Sequence, residues 1–324
     1  MTETRALVVG GAGFIGSHMV DCLVVRGPVT IYDNLSIGSR AKVADPLASG
    51  WATLIEADAL DLERLTAAMT GCNLVVHFSA NPEARWGLER TRLDLEQGTI
   101  VTYNVLEAMR RTGVRRLLFA SSGTVYGDTA EVCAEGDLGA LPISLYGASK
   151  LAGEALVSAF ASCFDVRACI FRFGNVVGPR GTHGVALDFL KKLRDSGARA
   201  RAEHTPIELE VLGDGLQAKP YLHVTDCVAG MLFGLDHASA PLSVWNLTPP
   251  DTTSVARIAE LCIAASPHKD ALIRYTGGDR GWRGDVPRSR MSPEKLAALG
   301  FRVRHTSDGA VRLAIEALAR EVFG

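Results

Sequence analysis

The sequence predicts a doubly wound α/β fold, a parallel sheet with helices on both faces, carrying a smaller mixed α/β lobe. Three observations lead there. Short apolar runs alternate with amphipathic stretches through the first half, the first run opens onto a glycine-rich turn, and the alternation breaks after Gly174. ALVVG (6–10) is continuously apolar, the pattern of a strand covered on both faces. A helix follows over 14–25, then strands over 29–33 and 53–58, with the short helix LERLTAAMT before a fourth strand over 73–80. Residues 98–113 read as an amphipathic helix ending on Gly113, because glycine accepts the left-handed backbone that stops a helix. A fifth strand covers 115–122, a helix runs over 146–160, and the sixth strand covers 166–174. Strands and helices alternating at this spacing give a parallel, doubly wound sheet.

Beyond Gly174 the pattern loosens. NVVGPRGTHG (175–184) reads as a loop over a ligand, followed by a helix over 186–197 and a β-like stretch, IELEVLGDG. YLHVTD returns to strand character before the helix CVAGMLFGLDH; ARIAELCIAAS, the loop GGDRGWRGDVPRSR and a last helix over 307–322 complete the chain. Residues 1–174 and 219–247 are expected to form the cofactor-binding domain, and 175–218 with 248–324 the substrate lobe. No Pro/Ser/Gly tract separates them, so a cleft between tightly packed lobes is the expected ligand site.

Composition narrows the class. The chain has 324 residues, 47% of them apolar, enough for a sizeable core. The 34 basic and 36 acidic residues leave a net charge of −2, which is no footprint for nucleic acid or an anionic membrane. No apolar run is long enough to cross a bilayer, and the N-terminus enters a strand without the apolar core of a signal peptide. The seven cysteines form no CxxC pair and show no metal-ligand spacing. A reducing cytoplasm and a metal-free protein are therefore expected.

The first strand runs directly into GGAGFIG, with Gly10, Gly13 and Gly16 at three-residue spacing. One glycine permits the tight turn, one lets a pyrophosphate approach the backbone, and one lets helix and strand pack closely. The helix N-terminus then offers its amides to the phosphates. Asp33 ends the next strand, where a carboxylate takes the ribose hydroxyls and repels a 2′-phosphate. This is the Rossmann arrangement and it favours NAD over NADP, with Arg40 nearby as a counter-indication. Asp58, ending the third strand, either accepts from the adenine amino group or caps the next helix.

SLYGASK puts Tyr146 and Lys150 four residues apart, on one face of a helix. A phenol is a poor base at its ordinary pKa near 10. An adjacent ammonium, together with a cationic nicotinamide, is expected to draw it down.

With these motifs the chain resembles the extended short-chain dehydrogenases/reductases, in the NAD-dependent nucleotide-sugar epimerase/dehydratase group. The resemblance runs from GGAGFIG through YDN, HFSAN, SSGTVYG, YGASK, RFGNVVGPRG and GDGLQAKPYLHVTD to RGWRGDV, nearly the whole chain. It implies catalysis by Ser122, Tyr146 and Lys150, with Tyr146 as acid/base. It implies an NAD site formed by Gly10, Gly13, Phe14, Ile15, Asp33, Asn34, Asp58, Ala59, Phe78, Ser79, Ala80, Ser121, Tyr146 and Lys150. Substrate contacts are implied for Ser122, Thr124, Tyr146, Asn175, Lys219, Arg283 and Arg85, with Asp285 beside Arg283 and Trp282 shielding the site. Lys219 stands where relatives carry Arg and lacks its bidentate fork; Lys219 and Arg85 read equally as surface charges. Tyr126 is left a structural or nicotinamide-flanking role, and His77 and His223 are read as satisfied core histidines.

Relatives that dehydrate or decarboxylate the sugar carry an acid at the positions of Gly123 and Thr124, because those reactions need a further proton handler. Here neither residue moves protons. The resemblance therefore implies a 4-epimerase of UDP-hexose or UDP-hexuronate type with tightly held NAD. The alternative is a nucleotide-sugar 4-ketoreductase. A homodimer is also implied, through helices over 98–112 and 146–160 that expose small residues such as Ala155 and Ala159.

Overall fold

The computed structural model describes residues 3–324 apart from 138–139, 283 and 287–289. The first half runs β1 (Ala6–Val9), α1 (Phe14–Leu23), β2 (Val29–Asp33), α2 (Ala44–Ala48), β3 (Ala52–Glu56), α3 (Leu62–Met69) and β4 (Leu74–His77). There follow α4 (Arg92–Asp94), α5 (Val101–Thr112), β5 (Arg116–Ser122), α6 (Leu145–Phe164) and β6 (Arg167–Phe173). The remainder is β7 (Asn175–Val177), α7 (Val185–Glu203), β8 (Glu208–Val211), β9 (Ala218–Lys219), β10 (Tyr221–His223), α8 (Val224–His237) and β11 (Leu242–Leu247). It closes with β12 (Thr253–Ser254), α9 (Val255–Ala265), β13 (Leu272–Tyr275), α10 (Glu294–Ala298) and α11 (Ser307–Phe323).

Seven parallel strands form the central sheet in the order β3-β2-β1-β4-β5-β6-β11. The chain winds outward from β1 to β3, then returns to pair β4 with β1 and winds the other way. The switch point therefore lies between the C-terminal ends of β1 and β4, where a doubly wound sheet binds its ligand. Alternate residues feed opposite faces. Ala6 and Val8 join one core with α1 and α8; Leu7 and Val9 join the other with α3, α5 and α6. A third core, built from α7, β8, α9 and α11, belongs to the second half. No helix among the described residues is long and apolar enough to cross a membrane.

Several differences from the sequence reading bear on the architecture, beyond a longer α7 and the added strand β13. The seventh strand, β11, lies in LSVWNL, which carries no pattern separating it from a loop edge. The expected loop 175–184 begins with β7, which pairs with β10 outside the main sheet. The helix expected over 98–113 starts earlier: α4 passes through a π-helical turn, Leu95–Ile100, before α5. Gly98 in that turn lets α6 come close, since a Cβ there would lie 2.5 Å from Ser149 Oγ. α6 itself reaches Phe164, one turn beyond the expected end.

Inside the sheet face under α6 lies a buried ion pair. Arg172 on β6 donates to Glu154 on α6 through Nε at 2.9 Å and Nη2 at 2.6 Å, with both side chains under a tenth exposed. Ser121 donates its hydroxyl to the same carboxylate. Arg172 also donates to Tyr126 Oη at 2.9 Å, and Tyr126 donates onward to Asn246 Oδ1 at 2.7 Å. Removing one partner strands the other charge in the core at a cost of about 3–5 kcal/mol. Glu154→Ala should therefore lower the melting temperature by at least about 5 °C. In calorimetry the double variant E154L/R172M should lose less than the two single changes added together; strict additivity would mean that the charges do not depend on one another.

Candidate active site

At the switch point Gly10 follows β1 directly, in left-handed backbone with φ 79°, where a Cβ would sit 2.8 Å from Ser79 N. Only glycine lets the two strand ends approach so closely. Gly16 is as constrained, because its Cβ would fall 2.2 Å from Gly10 O. α1 then starts at Gly13 with no side-chain cap and no acid in its first turn. Its first amides, those of Phe14 and Ile15 among them, are thus left for an anion. Asp33 is buried and accepts from Ala12 N and Leu35 N, each at 2.9 Å. Burial pushes its carboxyl up, opposed by these two amides. The carboxylate keeps lone pairs for diol hydroxyls. An uncapped helix start, a glycine cradle and an acid at the end of β2 together fit the dinucleotide.

Asn34 lies beside this end and donates to Asp58 Oδ2 at 3.0 Å. Asp58 also accepts from Leu60 N at 2.9 Å, while the cap of α3 is Asp61, which accepts from Arg64 N at 3.0 Å. Of the two sequence readings of Asp58, the helix cap is thus corrected: the cap lies three residues on, at Asp61. Arg40 is exposed and stands outside the cavity wall.

From Gly10 and Asp33 a cavity of about 550 Å³ extends past Phe78, Ser79 and Ala80 to Ser121, Ser122, Thr124, Tyr146 and Lys150. It continues to Asn175, Lys219, Trp282 and Asp285. One cavity thus holds nearly all the residues singled out in the sequence. Asp58 and Ala59 are not in its wall, and Arg283 lies outside the described residues.

At the middle, α6 begins at Ser144, whose hydroxyl accepts from Gly147 N at 3.1 Å, so Tyr146 sits in the first turn, facing the cavity. Lys150 is buried, donates to Ala120 O at 2.8 Å and lies 5.7 Å from the centroid of the Tyr146 ring. Thr124 donates to Ser122 Oγ at 3.0 Å, which fixes that hydroxyl over the cavity. Burial pushes the Tyr146 phenol up to about 12, with Asp94 adding to the rise and Ser122 opposing it. Burial brings Lys150 down to about 8, opposed by Asp94 and Glu154. The expected lowering calls on a cationic nicotinamide as well as Lys150, and the protein's own groups raise the phenol instead. The ammonium is held by a backbone carbonyl, and burial is the largest influence on the phenol.

Tyr126 does not line the cavity; its hydroxyl is used up by Arg172 and Asn246, so its role is structural and not nicotinamide-flanking. His223 is buried at the start of α8 and bonds Thr225 Oγ1 at 2.7 Å through Nδ1. His77 is only half satisfied: Nε2 bonds Thr102 Oγ1 at 3.1 Å, and Nδ1 has no partner among the described residues.

At the far end, Lys219 Nζ is 2.5 Å from Asp285 Oδ1. Arg85 reaches Glu83 at 2.8 Å and Asp188, at the start of α7, at 3.0 Å, so it spans from the β4 side of the cavity to α7. The sequence reading had missed both carboxylates, because nothing in their spacing links positions 83 and 188. It had also missed Met291. A Cβ on Gly123 would lie 2.8 Å from Met291 Sδ. The place where related dehydratases are expected to hold an acid is thus filled by a thioether. Asp94, buried behind Asn81, was a further omission.

Residues 6–247 match the NAD dependent epimerase/dehydratase family. A curated UDP-glucose 4-epimerase of Corynebacterium glutamicum is 29% identical over 273 residues, 82% of this chain and 81% of that protein. A crystal structure of a UDP-galactose 4-epimerase is 36% identical, covers 99% of this chain and 100% of its own, and superposes with a TM-score of 0.84. That of Thermus thermophilus UDP-glucose 4-epimerase in complex with NAD is 27% identical, covers 97% and 99%, and has a TM-score of 0.83. The chain belongs to the NAD-dependent epimerase/dehydratase family.

Proposed function

We propose that the protein is a nucleotide-sugar 4-epimerase that keeps NAD bound through its cycle, with UDP-hexoses or UDP-hexuronates as substrates. The observation that carries this reading is the trio Ser122, Tyr146 and Lys150 beside a Gly123–Thr124 pair with no acid, its free space taken by Met291. Gly10, Gly13, Phe14 and Ile15 would hold the pyrophosphate of NAD, and Asp33 its adenosine ribose. Bound there, NAD supplies the acceptor and donor of a hydride. Tyr146 removes the proton of the sugar 4-hydroxyl as carbon 4 is oxidised, and returns it when the 4-ketose has presented its other face. Ser122, held by Thr124, positions that hydroxyl. Lys150 anchors the helix to Ala120 O and keeps positive charge beside the phenol. Asn175, Lys219, Arg283 and Arg85 are assigned to the nucleotide-sugar. Two of these, Lys219 and Arg85, reach carboxylates that a diphosphate or sugar would have to share. Residues 1–174 with 219–247 are assigned to NAD, and the rest to the substrate.

With purified protein and no added cofactor, UDP-glucose and UDP-galactose, or the corresponding uronates, should interconvert, with neither a 6-deoxy-4-ketose nor carbon dioxide released. Net consumption of NAD(P)H without interconversion would instead establish the ketoreductase reading. Tyr146→Phe should lower kcat by about 10²- to 10⁴-fold while NAD still co-elutes in gel filtration. Gly16→Ala, whose Cβ has no room above Gly10 O, should lose the co-eluting NAD.

The same reading includes a cytoplasmic homodimer. Its support is a set of exposed apolar side chains on the two outer helical segments, Leu95 at 49%, Tyr103 at 45% and Phe164 at 42%. Light scattering should give twice the chain mass, and Tyr103→Glu should return the monomer.

A further inference from the structure

Asp94 takes no part in the reading above, yet it is 2% exposed and sits under the reactive end of the cavity. One oxygen accepts from Asn81 Nδ2 at 3.0 Å, and Asn81 lines the cavity. The other, Oδ2, has no partner among the described residues. It points at Gly87, where a Cβ would meet it at 2.5 Å and would meet Leu145 Cβ, next to Tyr146, at 3.6 Å. The buried carboxylate is thus packed against the first turn of α6. The π-helical turn that follows it keeps it there, since Gly98 docks on Ser149, the neighbour of Lys150. A buried carboxylate with an unsatisfied oxygen is costly, so a structural role alone does not account for it.

We propose that Asp94 is a positioning residue that sets, through its charge, the pH window in which Tyr146 and Lys150 work, and that holds Asn81 in the cavity wall. The proposal rests on Tyr146 and Lys150 being the working pair. The charged groups around Asp94 are Glu83 and Arg85 beyond Asn81, paired with each other, and Tyr146 and Lys150 on α6. On its own helical run stand Arg92 and Glu96, also paired, at 2.9 Å. Arg90, just before this run, lies against the Trp86 ring instead, and Lys150 is the cation that acts on Asp94. The carboxylate favours the ammonium form of Lys150 and disfavours the phenolate form of Tyr146, so it moves both titrations to higher pH. Burial pushes the Asp94 carboxyl itself up, while Asn81 and Lys150 pull it back.

The test is the pH dependence of kcat/KM for the NAD-loaded enzyme and its Asp94→Asn variant. Losing the charge should move both limbs of the bell to lower pH by about one unit, the range expected of a charge without direct contact. KM should change by less than about threefold. Asp94→Glu, which keeps the charge, should leave the limbs in place even where crowding at Gly87 lowers kcat. Superimposable profiles for wild type and D94N, with a uniform fall in kcat, would overturn the proposal. Asp94→Ser carries the same comparison should D94N fail to fold. Tyrosinate absorbance on titration, taken as the difference between each protein and its Tyr146→Phe derivative, reads the Tyr146 shift without substrate. It still decides the role of Asp94 if the wild type fails to epimerise any sugar.

Discussion

The ion pair between Glu154 and Arg172 fixes most of what matters in this active site. Two charges removed from water repay their desolvation only where every remaining donor and acceptor is answered. Here the guanidinium meets both carboxylate oxygens, the Tyr126 hydroxyl and Glu135 O at 3.1 Å, while Ser121 supplies a further donor to the carboxylate. The pair ties α6 to β5 and β6 at one height along the helix. Lys150 stands one turn above Glu154 and Tyr146 a turn above that. Strand β5 then presents three neighbours in succession: Ala120 O to Lys150, Ser121 to Glu154, and Ser122 to the cavity. The reactive geometry follows from a helix hooked twice to the strand it crosses.

The same network extends into the second half of the chain. Asn246 accepts from the Tyr126 hydroxyl, donates its backbone N–H to Glu135 Oε1 at 2.8 Å and donates its side-chain amide to Cys133 O at 2.9 Å. Cys133 in turn is bridged to the segment carrying Met291: Cys133 N donates to Arg290 O at 3.1 Å, and Ser292 N to Cys133 O at 2.9 Å. Met291 therefore reaches Gly123 because Tyr126, a conspicuous tyrosine in the catalytic stretch, anchors the far side of the loop that holds it. The two features of SSGTVYG, a tyrosine that does no proton chemistry and a glycine with no acid, are parts of one packing arrangement.

Much of this was legible in the sequence wherever the physics is local. Continuous apolar runs mark strands buried on both faces. Glycines at three-residue spacing mark the phosphate turn, and a tyrosine and lysine four apart share a helix face. Each rests on backbone geometry that a short window specifies. What escaped is long-range. β11 is a strand because β6 offers it an edge, and β7 because β10 does. Asp188 and Met291 acquire meaning only when the fold brings them to Arg85 and Gly123. Nor does the motif show what surrounds Tyr146: it gives the neighbour in the helix but neither the burial around the phenol nor the carbonyl that holds the lysine.

The distribution of charge follows from these long-range contacts. Arg85 and Lys219 meet carboxylates at the cavity wall, Arg172 meets Glu154 beneath it, and each of these pairs is closed by direct contact. Lys150 is different. Its contact is with a neutral carbonyl, so its positive charge is balanced only at a distance, by Asp94 and by a Glu154 already committed to Arg172. A buried ammonium with a closed salt bridge would spend its field on its partner. One held by a carbonyl leaves that field directed at the phenol and at whatever lies against it. The unanswered oxygen of Asp94 is the counterpart of that arrangement. It keeps the lysine charged without touching it, and so without screening it from the cavity.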